Sequence, residues 1–92
     1  MIKSFRCKHT ESVYLGKPTK HFRAFQSVAE RKLQMLDIAR RIDDLRIPPA
    51  NRLEALKGDR RGQFSIRVND QWRLCFRFED GNAYDVEIVD YH

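Results

Sequence analysis

The chain has 92 residues, which is room for one domain over 1–92 whose apolar residues must nearly all serve a single core. Eighteen Lys and Arg against thirteen Asp and Glu give a net charge of +5, and twelve of the eighteen are arginine. No run approaches the roughly 18 apolar residues of a membrane helix, and the N-terminus lacks the basic stretch and apolar run of a signal peptide, so the expectation is a soluble, cytoplasmic protein with no membrane partner.

The two cysteines, Cys7 and Cys75, form no CxxC and have no His or Cys cluster beside them. They predict free thiols in a reducing compartment, neither a disulfide framework nor a zinc site. Arginine carries a rigid planar fork suited to phosphate, so the arginine bias favours a polyanionic partner such as RNA, or an acidic protein. An ordinary basic surface would give the same net charge.

In chain order, residues 1–5 predict a short strand, with Ile2 and Phe5 as its apolar members. Thr10 is placed to cap a brief helix over 11–15, which Gly16, Lys17 and Pro18 end. Residues 20–25 suggest an extra turn. Ser27-Val28-Ala29-Glu30 has the spacing of a capping box. From there Ala29, Leu33, Leu36, Ala39 and Ile42, with Met35, Ile38 and Leu45 beside them, recur every three or four residues. That period predicts a helix of about four or five turns over 27–45 with one broad apolar face. Asp37 and Arg41 stand at ion-pair spacing along it.

Pro48 and Pro49 end that helix, and 51–56 reads as a loop or a single helical turn anchored by Leu53 and Leu56. Lys57-Gly58-Asp59-Arg60-Arg61-Gly62 is a basic turn whose glycines are too sparse for a P-loop. Alternation then sets in. Phe64, Ile66 and Val68 share one strand face, and Asn69-Asp70 makes a turn. Trp72, Leu74, Phe76 and Phe78 share the face of a second strand. Asp80-Gly81 signals a hairpin into a third, with Tyr84, Val86 and Ile88 facing inward. The expected fold is α+β: a small mixed sheet dominated by a C-terminal antiparallel three-stranded meander, with N-terminal helices covering one face.

The opposite face gathers Arg67, Arg73 and Arg77 with Asp85 and Glu87. It suits a phosphate backbone, although a solvated, ion-paired face would look the same. Neither a Ser-His-acid arrangement nor a metal-ligand cluster is visible, and no cofactor is implied. The inventory can support phosphodiester cleavage in RNA, where the 2'-hydroxyl is the attacking group and the protein need only orient, move two protons and stabilise charge. Arg73 is the best charge-stabilising candidate and Lys57 a second. His92 suits proton transfer, Asp90 could orient it, and Tyr91 could stack on a base.

Four segments carry a resemblance that spans the chain: Val28-Ala29-Glu30-Arg31-Lys32-Leu33 with Met35-Leu36-Asp37; Leu56-Lys57-Gly58-Asp59-Arg60; Ser65-Ile66-Arg67-Val68-Asn69-Asp70-Gln71-Trp72-Arg73-Leu74-Cys75-Phe76; and Val86-Glu87-Ile88-Val89-Asp90-Tyr91-His92. Together they resemble the HigB branch of the RelE-type toxins, particularly its GraT-like members. The resemblance implies a RelE-like fold and a toxin that enters the 30S A site and cleaves messenger RNA there without a metal. Its partner would be a HigA-type helix-turn-helix antitoxin, with DNA reached only through that complex. The family's basic concave face falls on Lys57, Arg67, Arg73 and Arg77, with Arg60 and Arg61 of the basic turn as further RNA or ribosome contacts. Its terminal functional cluster falls on Asp90, Tyr91 and His92. Where relatives often carry a histidine before Leu-Lys-Gly, this chain has Glu54, which puts a carboxylate in place of a proton shuttle. Two other readings remain: a translation inhibitor that binds the ribosome or RNA without cleaving, and a regulatory subunit that binds DNA only with its partner.

Overall fold

The computed structural model describes residues 1–90. Two helices, α1 (Lys8–Tyr14) and α2 (Gln26–Ile38), precede four strands: β1 (Glu54–Ala55), β2 (Phe64–Arg67), β3 (Trp72–Glu79) and β4 (Asn82–Asp90). The strands lie in sequence order and every pair is antiparallel. The expected meander is therefore present, and β1 lengthens it where 51–56 had read as a loop or turn. Residues 1–6 run parallel to β4, with Ile2 bridged to Ala83 and Phe5 to Val86. Lys3 and Arg6 donate their amides to the carbonyls of Ala83 (2.8 Å) and Val86 (3.0 Å). The N-terminal segment thus covers an edge that would otherwise expose unpaired backbone groups, and it makes the sheet mixed.

Beneath one face lies the core. Ala29, Leu33 and Leu36 of α2 meet Ile66, Leu74, Phe76, Val86 and Ile88, with Val13 and Phe22 closing the side. Phe22, Phe25 and Trp72 form an aromatic cluster with centroids 5.5 to 5.6 Å apart. Such pairs add to the area that they bury, and they pin the start of β3 to the chain entering α2.

Both expected helix starts are corrected. Thr10 lies inside α1, fully buried, and its hydroxyl accepts the Ile88 amide at 3.0 Å instead of capping. Changing Thr10 to valine leaves that buried amide without its acceptor and should cost about 1–3 kcal/mol. The urea midpoint measures this: serine should recover most of the loss, and an unchanged midpoint for valine would show that the amide has another acceptor. Ser27 is also internal. α2 begins at Gln26, whose carboxamide accepts from the Thr19 amide (3.2 Å) and donates to the Lys17 carbonyl (3.0 Å), tying the preceding loop to the helix.

The helix ends at Ile38 and does not run to Leu45. Ala39 turns to an extended conformation, and the amides of Arg40 and Arg41 donate to the Asp44 carboxylate at 2.9 and 3.1 Å. Those two bonds hold the Asp44 carboxyl below its usual range and open a 3-10 turn over Ile42–Arg46. The β3–β4 turn passes close to the chain leaving α2: a Cβ on Gly81 would sit 3.1 Å from the Arg40 carbonyl oxygen. Leu45 still reaches the core, whereas Ile38 is 77% exposed. Asp37 does not pair with Arg41 as its spacing suggested but accepts the Ile2 amide at 2.8 Å.

One irregularity resets the sheet faces. Cys75 pairs with Glu87 but Arg77 with Tyr84, so β4 carries an extra residue here, with Asp85 at φ +54°. Ala83 is the buried residue opposite Phe78, while Tyr84, expected inside, lies with Arg77, its ring 5.7 Å from the guanidinium carbon. The Ser4 hydroxyl accepts the Asp85 amide at 2.9 Å and secures the bulge.

Candidate functional site

The site lies on the sheet face away from α2, where β2 and β3 place Arg67 and Arg73 directly opposite each other. Like charges in register repel, at a cost of up to about 1 kcal/mol, so the pair needs nearby counter-charges or an anion. Arg67 pairs with Asp70, which is almost wholly exposed. Arg73 is nine-tenths buried. Its Nε donates to the Ser65 hydroxyl at 2.8 Å, and one terminal nitrogen donates to the carbonyls of Arg52 (2.5 Å) and Ser65 (3.4 Å). The other terminal nitrogen faces the Glu54 carboxylate at 3.7 Å, beyond hydrogen-bonding distance. Neutral oxygens fix the guanidinium plane while its charge is only loosely compensated.

Around these groups is an open cavity of about 240 Å³ lined by Arg52, Glu54, Arg67, Asn69, Asp70 and Arg73. Each lining residue has a structural cause. Pairing of β1 with β2 sets Glu54 opposite Ser65 and brings its carboxylate over Arg73. Asn69 accepts the amides of Gln71 (2.9 Å) and Trp72 (2.8 Å), closing the turn and holding Asp70 at the rim. Arg52 takes a left-handed conformation, φ +46°, at the end of the 3-10 turn Pro49–Asn51, which directs its carbonyl to Arg73.

The other expected site residues lie elsewhere. Arg60 bonds Gln63 at 3.0 Å and Glu87 at 3.3 Å, and Arg6 approaches the same carboxylate at 3.4 Å. This bracket covers Cys75, whose thiol burial pushes up to about 11 against the pull of Arg60, so it is neither ionised nor nucleophilic near neutral pH. Cys7 is half-buried and both cysteines are free. Arg77 stands four residues along β3 from Arg73, about 13 Å at strand rise, and is engaged by Asp85 at 2.9 Å. Lys57 and Arg61 are exposed on the basic turn. Asp90 ends β4 opposite Trp72, where it accepts from the Gln71 carboxamide at 3.0 Å and does not line the cavity. Tyr91 and His92 lie outside the described residues.

Sequence reasoning missed Arg52, Ser65, Asn69 and Asp70. Ser65 had a usable signal, since alternation places it on the face of Arg67 and Arg73. Arg52 had none, because it contributes a carbonyl whose direction depends on a left-handed residue.

Known proteins agree with this fold and add an identity. A family model described as the RelE-like toxin of the type II toxin-antitoxin system HigB matches residues 3–92. The chain is 45% identical over 87 residues to Toxin HigB-1 of Vibrio cholerae, covering 90% of both chains, and 38% identical over 94 residues to Endoribonuclease HigB of Proteus vulgaris, covering both in full. Among solved structures, YafQ from E. coli superposes with a TM-score of 0.64 at 12% identity, covering 98% of this chain and 91% of that one. A chain of the YoeB-YefM complex of Staphylococcus aureus gives 0.58 at 17% identity, covering 100% and 98%. No helix among the described residues is long and apolar enough to cross a membrane. With the family model matched over nearly the whole chain and two relatives at 38% and 45% identity, the protein belongs to the HigB-like family of RelE-like toxins of type II toxin-antitoxin systems, and its partner is an antitoxin.

Proposed function

We propose that the chain acts as a single toxin domain over 1–92, a ribosome-dependent endoribonuclease that cleaves messenger RNA in the 30S A site of the cytoplasm, and that a HigA-type helix-turn-helix protein is the antitoxin. The observation that carries the reading is the apposition of Arg67 and Arg73 beside an open cavity. Two arginines lining one cavity suit the non-bridging oxygens of one phosphate, which gains charge as the reaction proceeds. The 2'-oxygen of the preceding ribose attacks phosphorus and the bond to the 5'-oxygen breaks, leaving a 2',3'-cyclic phosphate and a 5'-hydroxyl. One proton leaves the 2'-hydroxyl and another reaches the departing oxygen.

Glu54, across the cavity from Arg73, has the chemistry to accept the first proton. His92 has the chemistry to donate the second, with Asp90 and Tyr91 of the same terminal motif orienting it and the substrate base. Lys57, Arg60, Arg61 and Arg77 supply further positive charge towards ribosomal and messenger RNA. The HigA-type repressor, and not this chain, makes the contact with DNA.

Mapping messenger 5'-ends in an in vitro translation reaction tests the reading. New ends should appear in translated messenger and not in the same RNA without ribosomes. Equal cleavage of naked RNA would refute the ribosome requirement. Arrested translation with intact messenger would replace the nuclease with a non-cleaving inhibitor.

A further inference from the structure

The cavity arginine is held by a carbonyl that itself needs holding. Arg52 takes its left-handed conformation without being glycine, and it does so immediately after Asn51, which is fully buried. The Asn51 carboxamide nitrogen donates to the Leu45 carbonyl at 3.2 Å and lies 3.5 Å from that of Ile47. Its oxygen accepts a hydrogen bond from the Lys32 ammonium at 2.6 Å. Lys32 is on α2, nineteen residues earlier in the chain, and is half-buried. An amine in such a place is not a solvated surface charge. Burial first, and then the neighbouring Arg31 and Arg67, lower its pKa.

We propose that Lys32 is a positioning residue for RNA cleavage, acting through the Asn51 side chain and the Arg52 carbonyl to fix the Arg73 guanidinium. The chain of contacts is continuous: Lys32 Nζ to Asn51 Oδ1, Asn51 to Arg52 along the backbone, and the Arg52 carbonyl to Arg73 at 2.5 Å. A charge-assisted bond to Asn51 Oδ1 orients the amide so that its nitrogen meets Leu45, which ties the 3-10 turn Pro49–Asn51 to α2 and to the 3-10 turn Ile42–Arg46. The rigid α2 scaffold then sets the direction of a carbonyl that a free loop would leave variable. This rests on the reading of Arg73 as the group that faces the phosphate.

The test compares the full-length wild type with Lys32→Met and Lys32→Arg. Two readouts are taken: the exchange rate of the Arg73 Nη2–H resonance, the donor to the Arg52 carbonyl, assigned by its loss in Arg73→Lys, and the kinetics of messenger cleavage on translating ribosomes. Lys32→Met should exchange the Arg73 Nη2–H about tenfold faster and lower kcat about tenfold, with KM within about twofold of wild type. Lys32→Arg, which can still donate to Asn51, should recover most of both. An Arg73 resonance unchanged in folded Lys32→Met overturns the proposal even if activity falls, because the effect then bypasses Arg73. If Arg73→Ala itself leaves cleavage intact, it is the catalytic reading of Arg73 that fails, while the exchange rate still decides whether Lys32 holds that guanidinium.

Discussion

Replacing Arg73 with alanine should lower messenger cleavage by about 10²–10³-fold, the usual effect of removing one donor that stabilises charge in a transition state. The expectation rests on how the guanidinium is held. Three hydrogen bonds to neutral oxygens fix its plane, and the nearest carboxylate, Glu54, is 3.7 Å away and more than half exposed. The charge is therefore prepositioned but still available to an incoming anion. Lysine at this position keeps the charge and loses the fork, so it should rescue only weakly. Quantifying new messenger 5'-ends in a translation reaction measures both variants, with urea unfolding to show that each remains folded. A folded alanine variant that cleaves at the wild-type rate would remove Arg73 from the chemistry and shift attention to Arg67.

Truncating Phe22 to alanine should destabilise the protein by about 3–5 kcal/mol, a large part of the stability of a domain this size. Phe22 is almost completely buried, packs edge-on against Trp72 at 5.6 Å and also meets Phe25. Removing it hollows the junction between the loop entering α2 and the start of β3, the strand that carries Arg73. Leucine should recover part of the loss by refilling some of the space. Urea denaturation gives the figure directly. A loss under about 1 kcal/mol would mean that the junction collapses to fill the void, and that these rings contribute less than their burial implies.

The strands were legible because alternation at period two survives in a short chain: Phe64, Ile66, Leu74 and Phe76 all face as their spacing says. The end of α2 was not legible for a physical reason. Apolar residues three apart satisfy a 3-10 turn as well as an α-helix, so Leu45 reaches the core by a route that the sequence period cannot distinguish. Thr10 and Ser27 illustrate a related limit. Each has the chemistry of a cap, but Thr10 is taken by a strand amide far away in sequence, and Gln26 displaces Ser27 by starting the helix one residue earlier. In the site, Arg67 and Arg73 could be placed from alternation alone, and Glu54 followed from a resemblance. The setting of Arg73 could not be foreseen, because it comes from backbone oxygens and a left-handed Arg52 that leave no mark on side-chain pattern.

The single extra residue at Asp85 makes β4 two half-strands of opposite phase. In the half next to the turn, Ala83 points to the core opposite Phe78. In the other half Val86 and Ile88 do so, and Glu87 is free to face Arg60 and Arg6. An uninterrupted strand would have to give up one of these arrangements. The phase change uncouples them, so the hairpin tip can follow the helical layer while the strand's far end, down to Asp90, stays in step with Trp72 and the arginine-bearing face.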